Sequence, residues 1–248
     1  MNATEKTIVI IPTYNEKENI EKMIEKVFSL SYPFHLLIID DGSPDGTASI
    51  VKKIQEKYID KLFLIERTGK LGLGTAYITG FRWALEQNYD YIMEMDCDFS
   101  HNPDDLIRLL DACRIDGADM SIGSRYVKGG DIKNWPFSRK LISYGGSVYV
   151  RLITWIGIKD STAGFVCYKR KVIDSIDFNK IGYVGYGFQI EVKFAAYKLG
   201  FKLKEVPILF VDRIEGVSKM SKGIIKEAIV GVVAMQWNSF FNDYKKRP

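Results

Sequence analysis

TIVIIPTYNEKENIEKMIEKVF, residues 7–28, decides the fold. Residues 8–11 form an uninterrupted β-branched apolar run closed by Pro12, the pattern of a strand covered on both faces. Ile20, Met23, Ile24 and Val27 then recur at helical spacing. The strand-then-helix pattern returns three times. Residues 36–39 lead to Ile50, Val51 and Ile54, residues 62–65 to Ala76, Gly80, Phe81 and Ala84, and residues 91–95 to Leu106, Leu109, Leu110 and Cys113. Four such units in series predict an α/β fold with a parallel sheet and helices on both faces. Asn102 before Pro103 supplies a cap and first turn for the fourth helix, and residues 120–122 read as a fifth strand.

After Gly123 the alternation stops. Residues 128–136 read as a Gly- and Lys-bearing loop, marking a boundary inside the fold. An apolar stripe follows, Leu141, Tyr144, Val148, Tyr149, Leu152, Trp155 and Ile156, with Arg139, Lys140 and Arg151 beside it. Residues 162–168 read as a strand, 188–199 as a helix ended by Gly200, 201–211 as one or two strands, and 223–244 as an apolar-faced helix with a basic tail. One domain of 1–248 is expected, with halves at 1–123 and 124–220 and a terminal segment at 221–248.

The chain's 248 residues are 46% apolar and 27% charged, which excludes wholesale disorder. A net charge of +4 is too mild for nucleic-acid binding, but its distribution is uneven. Residues 85–119 hold ten acids against Arg108 and Arg114, and residues 125–171 hold ten bases against Asp131 and Asp160, so a cation-binding part precedes an anion-binding one. Three widely spaced cysteines with no CxxC pair, and two histidines, argue against a disulfide framework and a zinc site. With neither a secretion signal nor an apolar run of about 20 residues, a cytoplasmic location is expected.

In open parallel sheets ligands sit at the carboxyl ends of the strands, and every strand end here is polar. These ends are PTYNE at 12–16, DDGSPDGT at 40–47, DCD at 96–98 and GSR at 123–125. A turn and a cap account for Gly42, Pro44 and Gly46 but not for the paired Asp40 and Asp41. On an extended backbone Asp96 and Asp98, at i and i+2, point the same way and suit a hard cation, Mg²⁺ or Mn²⁺. A solvated strand end is the plainer alternative. There is no GxxxxGK[ST], and GKLGLG at 69–74 lacks dinucleotide-fingerprint spacing, so both nucleotide-binding classes recede.

Taken together, the strand ends resemble family 2 glycosyltransferases of the GT-A fold, and within them the dolichyl- or polyprenyl-phosphate mannosyltransferases. The resemblance runs from residue 7 to about 220 and also rests on DCDFSHNP at 96–103, GSRY at 123–126, WPFSRKLIS at 135–143 and VDRIEGVSKM at 211–220. It implies a nucleoside pocket of Pro12, Tyr14, Glu16, Ile39 and Asp41, and a diphosphate and metal site at Asp96, Cys97 and Asp98. Arg125 and Gln189 are implied as further donor contacts, with Arg213 and Lys219 on the donor phosphates. Arg125, Arg139 and Ser143 are implied at the acceptor phosphate, with Asp98, Arg125 and Arg139 central to catalysis. Cys97 stands where alanine is common, a small-for-small change. The transmembrane helices of many relatives have no counterpart in this sequence.

The activity so implied is inverting transfer of mannose from GDP-mannose to dolichyl or polyprenyl phosphate, giving a β-mannosyl product. A glucosyl- or N-acetylglucosaminyltransferase using a UDP-sugar is the alternative. A lipid phosphate is already anionic at neutral pH and needs cations to hold it, not a base. Glu191 then reads as a solvated or donor-binding acid, with a general base as the alternative. Asp160 and Thr162 either contact sugar or begin a strand, and His101 is either a turn residue or a ligand. The stripe at 141–156 lies either in the core or at a lipid interface. Peripheral attachment at the inner face of the membrane is expected, with a membrane-anchoring partner subunit as a further expectation.

Overall fold

The repeated βα units assemble as the hydrophobic pattern dictates. The computed structural model describes residues 5–185, 187–212, 222–241 and 243–247. β1 (Thr7–Thr13), α1 (Ile20–Phe28), β2 (His35–Asp40), α2 (Thr47–Gln55), β3 (Leu62–Glu66), α3 (Leu73–Glu86), β4 (Tyr91–Glu94), α4 (Asp105–Arg114) and β5 (Met120–Ser124) follow one another. The second half contains β6 (Asp131–Lys133), α5 (Phe137–Thr154), β7 (Val166–Lys169), α6 (Arg170–Ser175), α7 (Gly187–Lys198), β8 (Leu203–Pro207), β9 (Leu209–Val211) and α8 (Lys222–Asn238).

Seven strands form one sheet in the order β3-β2-β1-β4-β7-β5-β8. β1, β2, β3 and β4 are mutually parallel where they pair, as are β5 and β8. β7 runs antiparallel between β4 and β5, so the sheet is mostly parallel and extends across the boundary near residue 123. The expected strand at 162–168 is shorter and later than its apolar run. β6 occupies three residues of the stretch expected to be loop and pairs with β9. α8 ends six residues before the expected position, and α6 has no counterpart among the expected elements.

β1 shows why the sheet needs two cores. Ile8 and Ile10 enter one with Phe81 and Phe188, while Val9 and Ile11 enter the other with Ile20, Met23 and Ile24 of α1. Each such side chain contributes about 1.5–3 kcal/mol when fully buried. At Gly80 of α3 a Cβ would come within 2.8 Å of Ile10, so only glycine lets that helix lie this close to the strand. Connections from β1 pass to β2 on one side and from β3 to β4 on the other. The resulting crevice lies between the carboxyl ends of β1 and β4, where Pro12 and Asp96 follow their strands.

Candidate active site

The first wall of the crevice comes from β1 and β2. Their register sets Thr13 beside Asp40, and the Thr13 hydroxyl donates to Asp40 Oδ2 at 2.8 Å. The Ser43 amide and hydroxyl also donate to Asp40, which makes it a brace for the turn. Asp41 differs, since its carboxylate accepts from Arg67 Nε at 2.6 Å, with both side chains under 10% exposed. Arg67 also donates to Thr75 Oγ1 and the Gly72 carbonyl, which fastens the glycine-bearing loop to the β2 end. Glu16 accepts from Asn19 Nδ2, Lys70 lies over the Tyr14 ring, and Ile39 is buried in β2. Pro12, Tyr14, Glu16 and Asp41 therefore lie at the adjacent carboxyl ends of β1 and β2, and Arg67, which the sequence motifs do not single out, is fastened there with them.

The acidic motif begins after β4 ends at Glu94, earlier than the extended backbone expected to carry both carboxylates. Asp96–Asp98 instead enters a bend in which Phe99 has φ +57° and Asp98 Oδ1 accepts from the Ser100 amide at 3.1 Å. Asp96 is 42% exposed, Asp98 is buried, and Cys97 is buried with its thiol pushed well up by burial. Burial pushes His101 down to about 4, so its ring is neutral at pH 7. Its Nδ1 accepts from the Asp96 amide, and its ring stacks on Phe165. It serves as a support beneath the bend, and the 3.9 Å approach to the Asp96 carboxylate is no ion pair.

Among the described residues, no group of three His, Cys, Asp or Glu could hold a metal. Two carboxylates nonetheless suit Mg²⁺ or Mn²⁺ of the kind that takes its remaining ligands from phosphates and water. The donor set at Asp96 and Asp98 fits such an ion, bound together with a diphosphate.

The basic side is partly enclosed. Arg125, the residue after β5, donates from Nε and Nη2 to both oxygens of Asp160 at 2.7 and 2.6 Å, and from Nη2 to Thr162 Oγ1. Asp160 is fully buried, and Tyr126, Trp135 and Phe210 surround the guanidinium. Thus Asp160 and Thr162 do not open toward a sugar but hold Arg125, and Arg125 is committed to them, unlike an open phosphate contact. Arg139 near the start of α5 stacks 4.0 Å from the Trp135 ring centroid, pairs with Asp212 at 3.0 Å, and keeps 32% of its side chain exposed. Ser143, one turn further, accepts from the Tyr126 hydroxyl at 2.7 Å. Arg213 and Lys219 lie outside the described residues.

Two expectations for α7 change. Gln189 is buried, not at the crevice surface, and its Nε2 donates to Glu94 Oε2 at 2.7 Å. Glu191 is buried as well. It accepts from the Gly182 and Tyr183 amides and the Tyr244 hydroxyl, and burial raises its pKa. It is neither solvated nor placed as a base, but anchors the loop preceding α7.

The glycosyl transferase family 2 model matches residues 8–177. The polyprenol monophosphomannose synthase of Mycolicibacterium smegmatis is 45% identical over 229 residues, covering 92% of this chain and 86% of that one. The undecaprenyl-phosphate mannosyltransferase of Micrococcus luteus is 44% identical over 236 residues, covering 94% and 96%. The structure of mannosyltransferase PcManGT from Pyrobaculum calidifontis in complex with GDP-Man and Mn²⁺ superposes with a TM-score of 0.60 at 19% identity, covering 100% of this chain and 67% of that one. This last likeness bears on the fold.

Proposed function

Because the chain belongs to glycosyl transferase family 2, we propose that it transfers mannose from GDP-mannose to a polyprenyl phosphate with inversion, giving a β-mannosyl lipid phosphate. The observation that carries the acceptor reading is Arg139: a part-exposed guanidinium at the edge of the crevice and at the start of an exposed apolar helix face. Phe137, Leu141 and Ile142, each more than half exposed, surround it in sequence. A phosphate on Arg139 would leave its polyprenyl chain along that face.

In this reading Pro12, Tyr14, Glu16, Ile39 and Asp41 form the nucleoside side, and Arg67 fixes Asp41. Asp96 and Asp98 would hold Mg²⁺ or Mn²⁺, whose charge supplies stabilisation to the departing diphosphate. Arg213 and Lys219 are assigned to the same phosphates on sequence grounds. Arg139 and Ser143 orient the acceptor, and Arg125 shapes the wall behind them. An anionic phosphate needs no general base, and the commitment of Glu191 to loop amides agrees with that. Residues 1–123 then form the nucleotide-sugar half and 124–220 the acceptor half. GDP should bind at least about tenfold more tightly than UDP in the presence of Mn²⁺, a difference of about 1.4 kcal/mol. Preference for UDP in titration calorimetry would favour the UDP-sugar alternative.

Arg139→Ala tests the division of the site. Losing a charge-assisted contact should raise the acceptor KM by about 10–100-fold while GDP affinity stays within about twofold. Equal losses in both would place Arg139 on the wrong side.

None of the described helices is long and apolar enough to cross a membrane. α5 and α8 pack together, and Leu152 of α5, Trp155 just past its end, Val230, Val233 and Trp237 of α8, and Phe240 and Phe241 beyond it are exposed. Exposed large apolar side chains on two packed helices suit an interaction surface, and Lys140, Arg151 and the basic tail suit an anionic leaflet. We therefore assign this face to peripheral contact with the inner membrane surface, directly or beside a membrane-anchored subunit. The protein should sediment with phosphatidylglycerol vesicles, and Trp155→Glu with Trp237→Glu should reduce the bound fraction at least about tenfold. Undiminished binding by that variant would remove the assignment.

A further inference from the structure

Beneath the crevice lies a buried polar connection that none of the roles above uses. Lys193 of α7 is fully buried, and its ammonium makes three hydrogen bonds. It donates to the Ala163 carbonyl at 2.6 Å, and to the Gln189 carbonyl and side-chain oxygen at 2.9 Å each. Gln189 in turn donates to Glu94, the last residue of β4, two positions before Asp96. Ala163 ends a four-residue segment that begins at Asp160, the partner of Arg125. Burial disfavours the charge of both Glu94 and Lys193, and each offsets the loss for the other. Asp160 and Arg125 also act electrostatically on Lys193, so acid, base, acid and base alternate across the floor of the site.

A hydrophobic side chain of Lys193's length would fill the same space without the desolvation cost, so stability is a weak reason for a lysine here. Direction is a better one. An ammonium with three fixed acceptors sets the distance between the strand end carrying the acidic motif and the segment that fixes the acceptor wall. We propose that Lys193 is a positioning residue for sugar transfer: through Gln189 and Glu94 on one side and Ala163 on the other, it sets the spacing between the diphosphate side and the acceptor side. In-line attack is sensitive to that spacing, since a misplacement of about 1 Å costs about 100-fold in rate.

The inference rests on the donor and acceptor sides assigned above. Its test compares wild type with Lys193→Met and with the double variant Glu94→Gln/Lys193→Met, in which no buried charge is left unpaired. The double variant should fold, melting within about 5 °C of wild type, and bind GDP and Mn²⁺ with affinities within about threefold, while kcat falls about 100-fold. The single variant should lose stability as well as rate. A double variant that recovers kcat together with its melting temperature would show a purely structural lysine and overturn the proposal. Its failure to fold would do the same, by showing that the pair stabilises and does not position. A wild-type chain that transfers nothing from GDP-mannose would instead overturn the donor and acceptor reading itself, a result distinct from either.

Discussion

An Asp98→Ala variant is expected to lose about three orders of magnitude in kcat while remaining folded. The carboxylate is one of only two that follow β4 into the crevice, and it sits in a bend fixed by the Ser100 amide and the left-handed Phe99. If Asp96 and Asp98 hold the cation as proposed, Asp96 alone would hold it poorly, and less of the charge on a departing diphosphate would be neutralised. The fold loses the charge-assisted hydrogen bond to the Ser100 amide, about 1.5–3 kcal/mol, which is less than the stability of an ordinary domain. Mn²⁺ affinity measured in the presence of GDP should fall in parallel with rate. Turnover near the wild-type value in saturating Mg²⁺ or Mn²⁺ would remove Asp98 from the cation site.

Arg125→Ala should act through stability. Asp160 is fully buried, and removal of the guanidinium leaves its carboxylate with the residue-125 amide and the Thr162 hydroxyl but without its paired cation. Breaking such a buried pair from one side costs about 3–5 kcal/mol. For a domain of this size that is a fall of roughly 6–20 °C in melting temperature. Calorimetry on the purified variant measures it. An unchanged melting temperature with selective loss of acceptor affinity would instead return Arg125 to the phosphate-contact role implied by the GSRY motif.

The contrast between these residues shows what was legible before the structure. The βα units were readable because buried parallel strands demand continuous apolar runs and their helices a one-sided stripe, as in β1 and α1. The crevice was readable because the polar residues follow those runs immediately. The direction of β7 was not, since an apolar run is the same pattern in either direction, and only its neighbours β4 and β5 make it antiparallel. The acidic pair was correctly placed at a strand end but for the wrong local reason: a bend, not a strand, presents it. Asp41 gave no hint of Arg67, because a partner 26 residues away has no period.

The polar residues of α7 were the most misleading. Gln189 reads as a donor contact and Glu191 as a solvated or donor-binding acid, and Lys193 carries no reading of its own, because polar side chains ordinarily mark solvent or a ligand. Their burial depends on partners supplied by β4, the loop before the helix and the segment at 160–163, none of them adjacent in sequence to α7 except the loop. Arg139 was legible as a basic residue after an aromatic motif. Its stacking on Trp135 and its pairing with Asp212 needed the chain to return through β9.

The most direct measurement incubates the purified protein with short-chain polyprenyl phosphate, Mn²⁺ and, separately, radiolabelled GDP-mannose, UDP-glucose and UDP-N-acetylglucosamine, and follows label into the lipid phase. A mannosyl lipid phosphate should form from GDP-mannose only, and at no detectable rate when the corresponding polyprenol replaces the phosphate. Label entering lipid from a UDP-sugar but not from GDP-mannose, or transfer to the free alcohol as fast as to the phosphate, would contradict the proposed function.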